Sequence, residues 1–210
     1  GSGHIEAVGV LCMLLAIDAW DRRESGAGWA MAGAMVKFLP AALLPRLWRK
    51  RPWLLALGAL VALITVLPFA DAGTALLGGL SSYVSDWRFN GLVYSGLELL
   101  IGDGARWLLL LVGLMVVVRA IRIHWLPERI ALWAGGAFVV LSPTVHPWYL
   151  LWAWVPALLC GVRSWTLFAT MMPLSYLVFL AYDPATRSWE EQWWLPVLTT
   201  LPFLLALTWE

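Results

Sequence analysis

The chain has 210 residues, of which 61% are hydrophobic and 13% charged, and its mean hydropathy is +0.78. So few charged residues exclude a soluble globular domain, because they could not cover the apolar surface of a chain this size. The net charge of +1 gives no indication of a nucleic-acid partner. The 16 tryptophans are typical of aromatic belts at membrane surfaces, so the composition predicts an integral membrane protein.

Eight apolar segments divide the chain. They cover residues 7–20, 27–48, 53–70, 105–123, 129–143, 147–161, 164–182 and 192–208. A straight membrane helix needs about 20 apolar residues, so several of these segments must be short or tilted. We predict a single transmembrane domain over residues 1–210, an all-α polytopic helix bundle with about seven spans and one re-entrant helical hairpin.

The first segment begins with two residues that can carry charge, His4 and Glu6. The helix dipole favours an acid in the first turn of a helix, and this alone accounts for Glu6. The alternative is that both side chains face a cavity on the outer side, where Glu6 is a candidate catalytic carboxylate.

The second segment contains Lys37 and, three residues later, Pro40, and it has basic clusters on both flanks. One straight helix would carry one of those clusters across the membrane. Two half-helices, 27–37 and 39–48, avoid this, and each is about 16 Å long, half the thickness of a bilayer. They would form the re-entrant hairpin, packed inside the protein, with Lys37 near its tip. A cation at that depth favours binding of a lipid phosphate, and snorkelling to the inner interface is the alternative.

Residues 71–104 form the one long stretch that is predicted not to span the membrane. Glycines divide it, and Ala75 to Trp87 and Leu92 to Ile101 are predicted as short interfacial helices on the outer face. The polar and aromatic residues between them are Asp86, Trp87, Arg88 and Asn90. Such residues can stack on a sugar and bind its hydroxyls or a phosphate. An interfacial helix with one Asp–Arg pair is the alternative.

A histidine and two prolines separate the fifth and sixth of the long apolar runs. Pro143 and Pro147 interrupt the helix, which places His146 on a short turn where two membrane helices meet the water. The neighbouring Trp148 and Tyr149 suit the interface. His146 can there donate a hydrogen bond to a phosphate or sugar oxygen, and capping of exposed helix carbonyls is the alternative.

The distribution of basic residues predicts the orientation. If residue 1 is outside, most basic residues lie at inner ends, and these are Arg22, Arg23, Arg46, Arg49, Lys50, Arg51, Arg119, Arg122, Arg129 and Arg163. Those left outside are Arg88, Arg106 and Arg187. This bias predicts an outer N-terminus and an inner C-terminus.

Four strings occur together in an order that resembles a known family. They are Gly3 to Val8, Lys37 to Pro40 with the later Pro45, Trp87 to Gly91, and Ser142 to Trp152. Their order and spacing resemble the C-terminal half of bacterial polyprenol-phosphate-dependent glycosyltransferases of the GT-C fold, near the family 87 mannosyltransferases. The resemblance covers nearly the whole chain, and the string around His146 is its most specific part.

The resemblance implies an enzyme of the bacterial inner membrane that transfers a sugar from a polyprenyl phosphate to a lipid or glycan acceptor on the outer face. It implies that His146, Lys37 and Arg88 bind the donor phosphate. Contacts to the sugar or acceptor are expected from His4, Asp86, Trp87, Asn90, Trp148 and Tyr149. The expected partners are membrane lipids, the sugar donor and other membrane subunits. No cofactor and no metal are expected.

The chain departs from the family in one respect. The family's first outer loop, which carries an aspartate that acts as general base, would lie upstream of Gly3. The chain is therefore expected to be a fragment, or a shortened relative without transfer activity. The alternatives are a non-catalytic subunit of a larger membrane complex and a lipid or solute transporter, because broken helices with a central charge occur in transporters.

Overall fold

The computed structural model describes residues 5–49, 53–78, 87–123, 126–186, 188–190 and 192–210. The elements in this part of the chain are almost all helical, as predicted. The strands named here are two residues long each, and β1 (Tyr182–Asp183) pairs with β2 (Ser188–Trp189) in an antiparallel register. The sequence did not predict this small ribbon.

The described α-helices follow one another along the whole chain. They are α1 (Glu6–Asp18), α2 (Arg23–Val36), α3 (Leu44–Trp48), α4 (Trp53–Val66), α5 (Leu92–Ile101), α6 (Gly104–Arg122), α7 (Pro127–Leu141), α8 (Leu151–Cys160), α9 (Ser164–Met171) and α10 (Trp194–Leu207). The 3₁₀ segments are Leu39–Leu43, Leu67–Leu77, Pro147–Leu150 and Met172–Ala181. Each 3₁₀ segment has a proline at its first or second position, where the missing N–H and the fixed φ are tolerated.

The second apolar segment is interrupted at Lys37, as predicted. Helix α2 ends at Val36, and Lys37 has an extended backbone with φ −157° and ψ 138°. The 3₁₀ segment after it folds back on α2, because a Cβ atom added to Gly33 would lie 2.9 Å from Cγ of Pro40. The break follows from the sequence, because Pro40 has no N–H to bond the carbonyl of Val36 and its ring would clash with that carbonyl, so α2 cannot continue through this turn.

Three stretches of helix are long and apolar enough to cross a membrane. They are Ala56–Gly73, Gly104–Arg122 and Ser164–Ala181. The apolar helices Leu92–Ile101, Pro147–Cys160 and Trp194–Leu207 are shorter. The predicted number of about seven spans is therefore not confirmed in the described part of the chain. The physical reason is length, because a helix of 10–15 residues rises only about 15–22 Å against a hydrocarbon core of about 30 Å.

Helices α4 and α6 expose large apolar side chains over much of their length. Leu60, Leu63 and Ile64 on α4 are exposed, and so are Leu114 and Met115 on α6. An exposed apolar surface of this size is unfavourable in water and is normal in contact with lipid tails. The exposed faces and the three long apolar helices together indicate a membrane protein.

The stretch predicted as an outer-face loop, 71–104, is described only in part. Helix α5 (Leu92–Ile101) has the predicted bounds. The other predicted helix, Ala75 to Trp87, falls largely on residues 79–86, which lie outside the described residues. Before them the Leu67–Leu77 segment is interrupted at Gly73, whose φ of 51° is favourable only for glycine.

The centre of the packing is Trp152 on α8, which is fully buried. Helix α1 approaches it at Gly9, where an added Cβ atom would lie 2.5 Å from Cη2 of Trp152. Helix α7 approaches it at Gly135, where an added Cβ atom would overlap the carbonyl group of Trp152. Gly135 brings the backbones of α7 and α8 together, and Gly9 lets α1 pack against the Trp152 ring, as small residues do in membrane helix bundles.

A second apolar cluster joins α9 to α10. Phe168 and Phe203 are stacked with ring centroids 4.5 Å apart, and Trp165 lies 4.6 Å from Phe203. Stacked and tilted pairs at these distances add about 0.5–1.5 kcal/mol each to the energy of burial. This cluster fixes the last third of the chain against the α7–α8 pair, since Leu132 and Val139 belong to the same core.

Glu210 caps the start of α9. Its Oε1 accepts hydrogen bonds from the backbone N–H groups of Arg163 at 2.6 Å and Ser164 at 3.2 Å, and its Oε2 accepts one from the Ser164 hydroxyl at 2.8 Å. Partial desolvation raises the pKa of the Glu210 carboxyl, but the hydrogen bonds from Ser164 and Arg163 outweigh it and hold that pKa below its ordinary value. The charged carboxylate therefore stabilises the folded state.

Replacing Glu210 by alanine is expected to lower the free energy of unfolding at pH 7 by about 0.5 kcal/mol, the lower end of capping energies, because the carboxylate is exposed. A lowered pKa means that this stability is present above the ordinary Glu value and is lost as the pH falls through the folded-state value. The difference between wild type and variant should thus shrink below about pH 4.5. Thermal unfolding in detergent measures it, with Glu190→Ala as the control. An equal difference at pH 7 and pH 3 would contradict the assignment.

Candidate functional site

Lys37 points into the protein and is held by an acid and two aromatic rings. Its Nζ lies 3.2 Å from Oε1 of Glu6, and the two side chains are 20% and 10% exposed. The same Nζ lies 3.9 Å from the ring centroid of Tyr149 and 5.5 Å from that of Phe138. Ring faces attract cations, more strongly where water is excluded. Glu6 therefore does more than complement the dipole of α1: it is the counter-ion of Lys37.

His146 lies in a stack of aromatic rings. Its ring is 4.4 Å from that of Trp148 with an interplanar angle of 14°, and 4.9 Å from that of Phe89 at 29°. The ring of Tyr149 meets it edge-on at 5.4 Å. Tyr149 thus contacts both Lys37 and His146, two of the three residues that the sequence singled out as phosphate ligands.

The segment around Phe89 pairs with the segment before His146. The Phe89 N–H donates to the carbonyl of Pro143 at 3.1 Å, and the Val145 N–H donates to the carbonyl of Phe89 at 2.7 Å. The Thr144 hydroxyl donates to the carbonyl of Trp87 at 2.9 Å. Two of the strings that carried the family resemblance are therefore adjacent in space, although 57 residues separate Trp87 from Thr144.

Gly91 makes this pairing possible. A Cβ atom added there would lie 2.7 Å from the carbonyl oxygen of Pro143 and 2.8 Å from that of Ser142. Gly91→Ala is expected to lower the free energy of unfolding by about 1–3 kcal/mol, because backbone atoms must move apart to admit the methyl group. Thermal unfolding measures it, and Gly96→Ala, on α5 with nothing within 4 Å, is the matched control. Equal stability of the two variants would show that the segments are not held together here.

Asn90 is part of the core. It is 1% exposed and has a φ of 55°, a left-handed conformation that asparagine tolerates better than most residues. Its Oδ1 accepts a hydrogen bond from the Thr199 hydroxyl at 2.8 Å, and its Nδ2 donates to Sδ of Met172 at 3.2 Å. These contacts tie the segment to α10 and to the Met172–Ala181 segment. The predicted contact of Asn90 with a sugar is replaced by this structural role, because the amide is enclosed by protein.

Arg88 belongs to a neighbouring cluster. Its Nη2 lies 3.1 Å from Oε1 of Glu98, and its guanidinium carbon lies 4.8 Å from the ring centroid of Tyr94. The Tyr94 hydroxyl donates to the same Glu98 oxygen at 3.1 Å. Trp87 beside it is more than half exposed. The other two predicted contact residues, His4 and Asp86, lie outside the described residues.

A cavity of about 750 Å³ opens between α6, α7 and the end of α2. Its polar wall residues are Lys37, Tyr94, Arg106, Ser142 and Tyr149. The remaining wall is apolar and comes mainly from α6 and α7. His146 contacts this wall through Tyr149, and Arg88 contacts it through Tyr94.

Arg106 is a charged wall residue that sequence reasoning missed. The sequence placed it only among the basic residues of the outer side. In the structure it lies in the first turn of α6, with Nη2 3.3 Å from Oδ1 of Asp103. Its Nε is buried and makes no hydrogen bond in the described part of the protein. No local sequence signal distinguishes this arginine, because its position in a cavity depends on α7 and on the segment around Lys37.

Comparison of the chain with family models, curated proteins and solved structures finds no match. The likeness to GT-C glycosyltransferases therefore rests on the sequence strings, and the site is interpreted from its own geometry.

Proposed function

We propose that the chain is the donor-binding part of a membrane glycosyltransferase similar to the GT-C enzymes. It would take a sugar from a polyprenyl phosphate for transfer to a lipid or glycan acceptor on the outer face. The observation that carries this proposal is that Lys37 and His146 meet at Tyr149, in and beside the wall of a largely apolar cavity. A polyprenyl-phosphate sugar has the matching parts, an apolar chain, an anionic phosphate and a ring with hydroxyls.

The phosphate would bind to the cationic part of the wall. Negative charge develops on the leaving phosphate during sugar transfer, and cations fixed in a dry site stabilise that charge strongly. Lys37 provides an ammonium in the wall itself. His146 can donate an N–H, and Arg88 lies one ring away through Tyr94. This assigns to the three residues the role that the resemblance implies.

The sugar would bind to the aromatic residues around His146. Trp148 and Tyr149 pack around His146 with rings at right angles to each other, and Trp87 lies 6.4 Å from His146 with its side chain exposed. Aromatic faces of this kind stack on the apolar face of a sugar ring. Glu6 is engaged with Lys37, so the proposal assigns donor binding to this chain and no general base.

In the proposed topology, α2 and the residues 39–48 form a re-entrant hairpin in a bacterial inner membrane. The fold-back of Pro40 on Gly33 and the inward Lys37 support this arrangement. Chain that is not a spanning helix is tolerated at membrane depth where it is packed in protein or lines a cavity. The N-terminus would then lie outside and residues 71–104 would cover the outer end of the cavity.

Donor binding by the purified protein in lipid nanodiscs tests the proposal. A polyprenyl-phosphate mannose is titrated against wild type and His146→Phe, which keeps a stacked ring and removes the N–H groups. We expect about tenfold weaker binding, the effect of losing one hydrogen bond to a charged group. Tyr176→Phe also removes one polar group from an aromatic ring, on the Met172–Ala181 segment, which contributes no residue to the cavity wall, and is expected to bind as wild type.

The double variant Glu6→Gln with Lys37→Met removes the cation without leaving a buried carboxylate. It should weaken donor binding by at least as much as His146→Phe does. Wild-type affinity in both His146→Phe and the double variant would overturn the proposed site. Absence of donor binding by the wild-type protein would overturn the proposed function and favour a non-catalytic membrane subunit.

A further inference from the structure

We infer that Glu6 is an internal counter-anion for the cavity: its carboxylate pairs with Lys37 and is replaced there by the anionic headgroup of an amphiphile that binds between Lys37 and Arg106. This deepens the proposed function and rests on it only for the identity of the headgroup as a lipid phosphate. Three features of the described residues carry the inference. They are a carboxylate oxygen of Glu6 without a hydrogen-bond donor, an N–H group of Arg106 without an acceptor, and the shape of the cavity wall.

The Glu6–Lys37 pair is incomplete as a structural ion pair. Only Oε1 of Glu6 contacts the ammonium, and Oε2 is buried with no hydrogen-bond partner among the described residues. A buried carboxylate oxygen without a donor is costly, and structural carboxylates normally have both oxygens satisfied. The carboxylate therefore holds Lys37 by a single contact, which a better acceptor can replace.

Arg106 lines the same cavity and has one buried donor without a partner among the described residues. Its contact with Asp103 is an i,i+3 pair in which the aspartate side chain is 91% exposed, so this pair is screened by water and contributes little. Its Nε is buried without a partner in the described residues. A guanidinium has five donors in a planar fork that fits a phosphate.

The two cations lie at the same end of one helix pair. Arg106 is in the first turn of α6, and Lys37 contacts Phe138 in the last turn of α7. Helices α6 and α7 are consecutive and packed together, and a short connection makes such a pair antiparallel. The start of α6 is therefore beside the end of α7.

The rest of the α6 wall is an apolar stripe. The wall residues on α6 are Arg106, Leu109, Leu110, Gly113, Leu114 and Val117. Their spacing of three and four residues places them on one face of the helix, and the stripe from first to last is about 16 Å long. Gly113 leaves a gap in the middle of the stripe. A cationic end followed by an apolar groove fits an amphiphile with an anionic headgroup and one extended chain.

Glu6 determines which anions can bind to Lys37 in the cavity. It competes for Lys37 as part of the same chain, at the high effective concentration of an intramolecular group. A small free anion can compete with Glu6 for Lys37 only through its charge. A lipid phosphate brings a negative charge, oxygens for both Lys37 and Arg106, and a chain that buries apolar surface.

Binding of dodecyl phosphate to the purified chain in uncharged detergent, followed by native mass spectrometry, tests the inference. Glu6→Gln is expected to bind about tenfold more tightly than wild type, and Arg106→Gln about tenfold more weakly. The double variant Glu6→Gln with Lys37→Met should lose the gain of Glu6→Gln, because the carboxylate acts through Lys37. Asp18→Asn, on the same helix in an exposed pair with Arg22, should bind as wild type.

Unchanged or weaker binding by Glu6→Gln would overturn the inference. If Glu6→Gln does not fold, Glu6→Asp provides the same test. The shorter side chain keeps the charge but withdraws it from Lys37, so a smaller increase in dodecyl phosphate affinity is expected. Binding of inorganic phosphate as tight as that of dodecyl phosphate would show a free-anion site and overturn the amphiphile. If the Glu6 and Arg106 effects are observed and polyprenyl-phosphate mannose does not bind, the proposed function fails and the amphiphile site stands.

Discussion

Lys37→Met is expected to lower the free energy of unfolding by about 3–5 kcal/mol, the cost of leaving one member of a buried ion pair without its partner. The partner is Glu6, whose side chain is 10% exposed and whose Oε2 already has no donor among the described residues. Thermal unfolding of the purified protein in detergent measures the loss.

Adding Glu6→Gln to Lys37→Met should restore most of this stability, because replacing a buried ion pair by neutral groups is often neutral or favourable. The control is Arg22→Met, which breaks a pair with Asp18 whose side chains are 67% and 76% exposed. Its effect should stay within about 1 kcal/mol. If Lys37→Met lowers the free energy of unfolding no more than Arg22→Met does, the Glu6–Lys37 pair is not buried in the folded protein.

Gly135→Ala is expected to lower the free energy of unfolding by about 3 kcal/mol, the upper end of the range for overpacked cores. The added Cβ atom would overlap the backbone carbonyl of Trp152, and no flexible side chain can move aside. Helices α7 and α8 must separate, and α8 is continuous with the Pro147–Leu150 segment that carries Tyr149. Donor binding should therefore weaken together with stability.

Gly28→Ala is the matched control for Gly135. It lies inside α2, and an added Cβ atom there meets nothing within 4 Å. Alanine is a better helix former than glycine by up to about 1 kcal/mol, so this variant should be as stable as wild type or slightly more stable. A Gly135→Ala protein with the wild-type unfolding temperature would show that α7 and α8 are not in backbone contact at this point.

Local features of the fold could be predicted because each depends on a few neighbouring residues. The break at Lys37 follows from Pro40 nearby, and α5 has the predicted bounds between two glycine-rich stretches. The number of spans could not be predicted in this way. Hydropathy counts apolar residues, but prolines such as Pro40 and Pro147 lie at the start of short 3₁₀ stretches that interrupt the apolar sequence. Helices such as Pro147–Cys160 are then too short to cross a bilayer straight.

The candidate site was predicted as single residues and not as an arrangement. Lys37 and His146 stood out because charged residues are rare in apolar sequence, and the structure brings both to Tyr149. The sequence singled out Asn90 in the 71–104 stretch as a contact residue and passed over Arg106 at the outer start of the fourth apolar segment, but the structure places Asn90 in the core and Arg106 in the cavity wall. That difference depends on Thr199 and on α7, which are distant along the chain.

The sequence by itself determined that the protein is helical and apolar enough for a membrane, and where prolines interrupt its helices, because composition and local backbone preferences decide both. Only the tertiary structure decided that Glu6 pairs with Lys37 across 31 residues and that Trp87 meets Thr144 across 57. Such contacts depend on how closely helices approach, and glycines at Gly9 and Gly135 set that approach through shape, which no local pattern of residues encodes.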